Sequence, residues 1–128
     1  MPIVIDGWNL IRNSESDIDD VEGDALFSAA MLISYLTGFR RLRRDPIVVV
    51  FDSSREFLNI GHKNTPGLTV VAAKDADKYI REYIDRFPQR QRRNLRVVSS
   101  DARVYYYAKD AYALPVRSEE FWSRLRCT

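Results

Sequence analysis

Ile3-Val4-Ile5-Asp6-Gly7-Trp8-Asn9-Leu10-Ile11 begins with a short β-branched run, closes it with an acid, and breaks it with glycine. An uninterrupted apolar run of this length predicts a strand buried on both faces of a parallel sheet, here Pro2 to Ile5. The same sentence is written again downstream. Ile47 to Phe51 is closed by Asp52, and Leu95 to Ser99 leads through Ser100 to Asp101. Leu68 to Ala72 and Tyr112 to Val116 supply two further strands. Between them lie helical stripes. Val21, Ala25, Leu26, Ala29, Leu32, Ile33 and Leu36 recur at helical spacing, and Gly38 marks where that helix loosens or ends. Asp45-Pro46 is a boundary, because a residue before proline disfavours the helical region. A second helix runs from about Asp75 to Phe87, carrying Ala76, Tyr79, Ile80, Tyr83 and Ile84 on one side, and stops before Pro88. An arginine-rich loop follows. Asp101 to Lys109 and Ser118 to Leu125 read as short helices, the latter with Ser118 as its N-cap, and 53–65 as an irregular connection or short helix holding His62. Strands alternating with helices predict an α/β fold, a mainly parallel sheet with helices on both faces.

At 128 residues and 45% apolar composition, the chain fits one domain, 1–128, with enough core to fold without staples. Its lone cysteine, Cys127, excludes an intrachain disulfide framework, so a reducing, cytoplasmic setting is expected. No apolar stretch approaches the roughly 20 residues needed to span a bilayer, so no membrane partner is expected. Net charge is only +2, but the charges are unevenly placed. Acids crowd 15–24, whereas Arg40, Arg41, Arg43 and Arg44 form one basic group and Arg86, Arg90, Arg92, Arg93 and Arg96 another. Arginine presents a planar fork suited to phosphate oxygens, which points to a polyanionic partner. The sequence does not set an oligomeric state.

In a parallel sheet the carboxyl ends of the strands share one edge, and ligands bind in the crevice where strand order reverses. Asp6, Asp52 and Asp101 all fall at or just after such ends, and Asp77 opens the second helix. Carboxylates crowded into one cleft raise one another's pKa, whereas a hard, oxygen-loving ion such as Mg²⁺ or Mn²⁺ makes the cluster favourable. A divalent metal site is therefore expected. Asn9 adds a neutral donor and acceptor, and Ser99 and Ser100 add hydroxyls at a strand end.

Several of these segments, taken together, resemble the YacP-like members of the NYN domains, within the wider PIN-like nuclease fold. Ile3 to Ile11 is similar to that family's opening strand and its aspartate-glycine-aromatic-asparagine sequence. Val49-Val50-Phe51-Asp52 is similar to its second strand, Asp75-Ala76-Asp77-Lys78 to its threonine-alanine-aspartate helix start, and Val97-Val98-Ser99-Ser100-Asp101 to the threonine-serine-aspartate closing its fourth. Val116-Arg117-Ser118-Glu119-Glu120-Phe121 resembles the serine-initiated last helix. The resemblance implies a three-layer domain with sheet order 3-2-1-4-5 and a metal-dependent endoribonuclease. It implies Asp6, Asp77 and Asp101 as catalytic metal ligands, with Asp52 binding a second ion or orienting water. Substrate contacts are expected from Trp8, Asn9, Ser99, Ser100 and Arg103, and the partner is expected to be RNA, structured or ribosome-associated. The chain departs from the pattern where Trp8 stands for tyrosine, Asp75 for threonine, and Asp110-Ala111-Tyr112 for a glycine-alanine turn.

Each aspartate alone has a structural reading, as an N-cap or a turn residue. Tyr105, Tyr106 and Tyr107 read as helix packing and exposed rings, and His62 and Cys127 as incidental. A catalytically silent RNA-binding module is the alternative function. A phosphoacceptor receiver or small phosphatase is disfavoured, because no aspartate stands two residues after Asp6 and Val116 leads into Arg117 where a receiver needs lysine.

Overall fold

The computed structural model describes residues 1–19, 25–52 and 66–127. The start of the first long helix at Val21, the acids Asp20, Glu22 and Asp24, and the 53–65 connection with His62 lie outside the described residues. The elements are β1 (Ile3–Asp6), α1 (Gly7–Ile11), α2 (Ala25–Arg43), β2 (Ile47–Asp52), β3 (Leu68–Ala73), α3 (Ala76–Arg86), a 3₁₀ helix (Gln89–Asn94), β4 (Arg96–Val98), α4 (Ala102–Asp110), β5 (Leu114–Val116) and α5 (Ser118–Arg126).

All strand pairs are parallel and the sheet order is β3-β2-β1-β4-β5, as the resemblance implies. β1 lies at the centre, with Ile5 opposite Val49 on one side and Val98 on the other. Alternate side chains of each strand feed opposite layers. Ile3, Ile5, Val49 and Phe51 pack with Leu10, Leu32, Leu36, Phe121 and Trp122, so α1, α2 and α5 cover one face. Val4, Val50 and Val97 pack with Ile80, Ile84, Val104 and Ala108, so α3 and α4 cover the other. Each layer is fastened by polar contacts too. The buried Trp122 indole donates to the Leu10 carbonyl at 2.7 Å, fixing α5 on α1.

Four expectations are corrected. The segment after Gly7 is a short helix rather than a simple break. Gly7 is required there by close approach, because a Cβ on it would lie 2.6 Å from the Phe51 ring. Gly38 neither loosens nor ends α2, which continues to Arg43 because Phe39, one residue on, is buried in the core and holds the last turns down. The arginine-rich loop is a 3₁₀ helix, and Ser118 is the first residue of α5, not its N-cap, a position taken by Arg117. No helix among the described residues is long and apolar enough to cross a membrane.

Candidate active site

The carboxyl ends of β1, β2 and β4 and the start of α3 open onto one cleft of about 810 Å³. Five aspartates line it: Asp6, Asp52, Asp75, Asp77 and Asp101. The topology does this work, since β1 and β4 are neighbours at the point where the strand order reverses. Trp8, Asn9 and Arg12 form the α1 wall.

Asp6 lies at the base, mostly buried. Burial pushes its carboxyl up to about 6 from the ordinary 3.8; the Ser99 hydroxyl and the Asn9 backbone N–H pull it down, and the charges of Asp101 and Asp77 push it up again. Desolvation wins. Ser99 itself is fully buried, and its hydroxyl donates to Asp6 Oδ2 at 3.2 Å while accepting from the Asp101 N–H at 3.1 Å. One side chain thus ties two of the acids to the same strand end.

Around this centre runs a network that fixes α1 and α5. Asn9 Oδ1 accepts from the Ser100 N–H at 2.8 Å and from the buried Ser118 hydroxyl at 2.7 Å. The Ser100 hydroxyl donates to Glu119 Oε2 at 2.7 Å and accepts from the Ser118 N–H at 2.9 Å, and Asn13 Nδ2 donates to the same Glu119 oxygen at 3.1 Å. Because Asn9 spends its oxygen on these donors, its amide nitrogen is the end left for the cleft.

Asp75 accepts from the Lys78 N–H as N-cap of α3, and Asp101 accepts from the Arg103 N–H as N-cap of α4. Both aspartates therefore serve as caps and also line the cleft. Asp77 is held by Arg81 one turn on, Nε to Oδ1 at 2.5 Å. Trp8 donates from Nε1 to the Asp52 carbonyl at 3.1 Å, meets Phe51 edge-on at 5.0 Å, and lies under the Arg12 guanidinium at 5.0 Å.

The expected residues are not all equally placed. Asp6, Asp52, Asp77, Asp101, Trp8 and Asn9 line the cleft, whereas the described lining does not include Ser99, Ser100 or Arg103. Arg12 is the cleft's arginine. It escaped sequence reasoning because its signal, the four-residue spacing from Trp8, has meaning only once α1 is known to be a helix. The Asp77 to Arg81 spacing carried the same signal in a helix that was legible.

Among the described residues, no three acidic, histidine or cysteine side chains converge as a ready-made cage for an ion. The donor chemistry nonetheless fits a hard divalent cation, because every acidic oxygen ligand here is a carboxylate and Asp6 pays a desolvation penalty that a cation would relieve. Mg²⁺ in particular is usually bound through one or two carboxylates, waters and substrate phosphates.

No curated protein matches the chain in sequence. Among solved structures, a point mutant of Rae1 (YacP) from Bacillus subtilis superposes with a TM-score of 0.75 at 17% identity, covering 98% of this chain and 75% of that one. A second crystal structure of Rae1 (YacP) from the same organism gives 0.73 at 17% identity, covering 99% and 74%. These likenesses establish a shared PIN-like fold. The sequence model of the YacP-like NYN domain matches residues 3–128, nearly the whole length, so the chain belongs to the YacP-like NYN domain family, a group of PIN-like nucleases.

Proposed function

We propose that the protein is a divalent-metal-dependent endoribonuclease that hydrolyses RNA phosphodiester bonds in the acidic cleft. The observation that supports this most is the gathering of Asp6, Asp77 and Asp101 around a single opening at the reversal point, with Asp6 buried against its own charge. Asp6, Asp77 and Asp101 would hold Mg²⁺ or Mn²⁺ together with water and substrate oxygens, and Asp52 would hold a second ion or orient water. A bound divalent ion supplies positive charge to the attacking oxygen and the departing oxyanion. The chain's own groups do the rest. Ser99 fixes Asp6 and the start of α4, the Asn9 amide nitrogen donates to a phosphate oxygen, and Arg12 offsets backbone charge above the Trp8 ring. Trp8 supplies an aromatic surface for a base.

Purified protein is expected to cleave labelled single-stranded, structured or ribosome-bound RNA when Mn²⁺ or Mg²⁺ is added. Asp6→Asn and Asp101→Asn are expected to abolish cleavage with the circular dichroism spectrum unchanged. Full activity in excess chelator, or in both variants, would overturn the assignment. A second reading is favoured by the Arg81 guanidinium already seated on Asp77. It makes the chain a silent RNA-binding module, and RNA binding without ion-stimulated cleavage would select it.

A further inference from the structure

Neither basic group of the sequence lies at the acidic cleft. The 3₁₀ helix leads directly into the amino end of β4, and Tyr112 stands just before the amino end of β5, where the Leu114 N–H donates to the Leu95 carbonyl at 2.9 Å. This is the opposite edge of the sheet. Gln89, Arg90, Arg93 and Tyr112 line a cavity of about 530 Å³ there.

Two features of this cavity are unexplained by folding. The first is Tyr112. α4 ends in a paired cap, in which the Tyr112 N–H donates to the Lys109 carbonyl at 3.1 Å and the Ala113 N–H to the Ala108 carbonyl at 2.9 Å. This places Tyr112 at φ 66°, the left-handed position that helices normally give to glycine. A tyrosine there is disfavoured by its own backbone, and its ring gains no burial in return, being 70% exposed. Strain without a folding benefit is a mark of function.

The second feature is the division of labour among the arginines. Arg92 is used structurally, donating from Nε to the Phe87 carbonyl at 3.0 Å and from a terminal nitrogen to the Asp85 carbonyl at 3.1 Å. Arg90 and Arg93 are exposed and have no acidic partner among the described residues. In a 3₁₀ helix, residues three apart eclipse one another, so Arg90 and Arg93 leave the backbone along one line, with their Cα atoms about 6 Å apart along the axis. Paired arginine forks beside an exposed ring form the combination that holds phosphates while a base stacks.

We propose that Arg90, Arg93 and Tyr112 form a second RNA-binding site on the amino edge of the sheet, which takes a single-stranded segment of the nucleic acid outside the acidic cleft. The choice of RNA over other polyanions rests on the nuclease reading above, and the ring favours it, since an acidic peptide has no base to stack. Leu95 and Asp101 are separated by six residues of chain that runs through β4, about 20 Å, so a single strand joining the two sites must cover at least that distance around the domain.

The test is binding of a fluorescent single-stranded RNA of about 20 nucleotides to the full chain in chelator, where no cleavage intervenes. Tyr112→Gly is expected to raise the melting temperature by about 3–6 °C, because glycine relaxes the cap, and yet to weaken binding by about 5- to 100-fold. Tyr112→Phe is expected to bind like the parent. The Arg90→Ala/Arg93→Ala pair is expected to flatten the dependence of log affinity on log salt by about 1.4, the share of two phosphate contacts on a single strand. Asp6→Asn is expected to leave this site's contribution intact, so loss of cleavage and loss of the second site are separate results. Unchanged affinity in Tyr112→Gly, or polyglutamate competing as well as RNA does, would overturn the proposal.

Discussion

Asp6 is buried where an ionised carboxylate is least stable, and that fixes the sign of a test. Its folded pKa, about 6, lies above the ordinary 3.8, so the native state holds the proton more tightly than the unfolded chain does. The stability this proton contributes is complete below 3.8 and is lost as pH rises through 6. At pH 7 the ionised Asp6 therefore costs the metal-free fold on the order of 2–3 kcal/mol. Asp6→Asn removes the charge and keeps an oxygen to accept from Ser99. In chelator at pH 7 the variant is expected to melt about 5–10 °C above the parent, while losing any gain in melting temperature on adding Mn²⁺. A lower melting temperature in differential scanning calorimetry would show that Asp6 is structural. The sequence displayed Asp6 plainly because it closes an apolar run, but the role of Ser99 was hidden. Its position suggested a hydroxyl for substrate; only its complete burial shows that it serves Asp6 and Asp101.

The elements divide by whether their cause is local. β1 and β2 were readable because strands buried on both faces are nearly pure β-branched runs, and α3 because its apolar stripe and Asp75 cap lie within one turn of each other. α1 was not readable, because five residues carry too little periodicity, and what holds them is the packing of Gly7 on Phe51, 44 positions away. Gly7→Ala is accordingly expected to destabilise by about 1–3 kcal/mol in urea titration, and Phe51→Leu in the same chain to recover part of that. Equal loss with and without the second change would remove the clash as the cause. The seat of α5 was equally invisible, since Asn9, Ser100 and Ser118 meet from three distant segments. Asn9→Ala strands a buried hydroxyl and a backbone N–H together, so a loss of about 2–4 kcal/mol is expected, whereas Asn9→Asp keeps the acceptor and should retain most of the stability. A change under about 0.5 kcal/mol in Asn9→Ala would mean that water replaces the amide.

Among the described residues, five aspartates line the cleft where strands end, whereas the two arginine groups lie ahead of or at the start of the strands β2 and β4. The amino edge is locked by Asp45, which accepts from the Met1 ammonium and from Arg96, each at 2.8 Å. Burial alone would raise Asp45, but these two cations outweigh it and hold the carboxyl below the ordinary 3.8. Glu119 is likewise held below 4.5, first by the Ser100 hydroxyl. For both, the folded pKa is depressed, so their stability is present above those ordinary values and is lost as pH falls through the folded ones. Asp6 has the opposite sign. Asp6 on one hand and Asp45 with Glu119 on the other therefore pull the stability profile of the ion-free protein in opposing directions, rising from pH 7 toward about 5 as Asp6 gains its proton and falling below the ordinary carboxylate values as Asp45 and Glu119 gain theirs. On the proposed reading, saturating Mn²⁺ or Mg²⁺ would bind only the ionised cleft, adding stability at neutral pH and moving the maximum upward. Melting curves from pH 3 to 8, with chelator and with the ion, should show that displacement in the parent and none in Asp6→Asn. A chelated protein most stable at pH 7, or a maximum indifferent to the ion, would mean that the cleft neither stores charge strain nor binds the cation that relieves it.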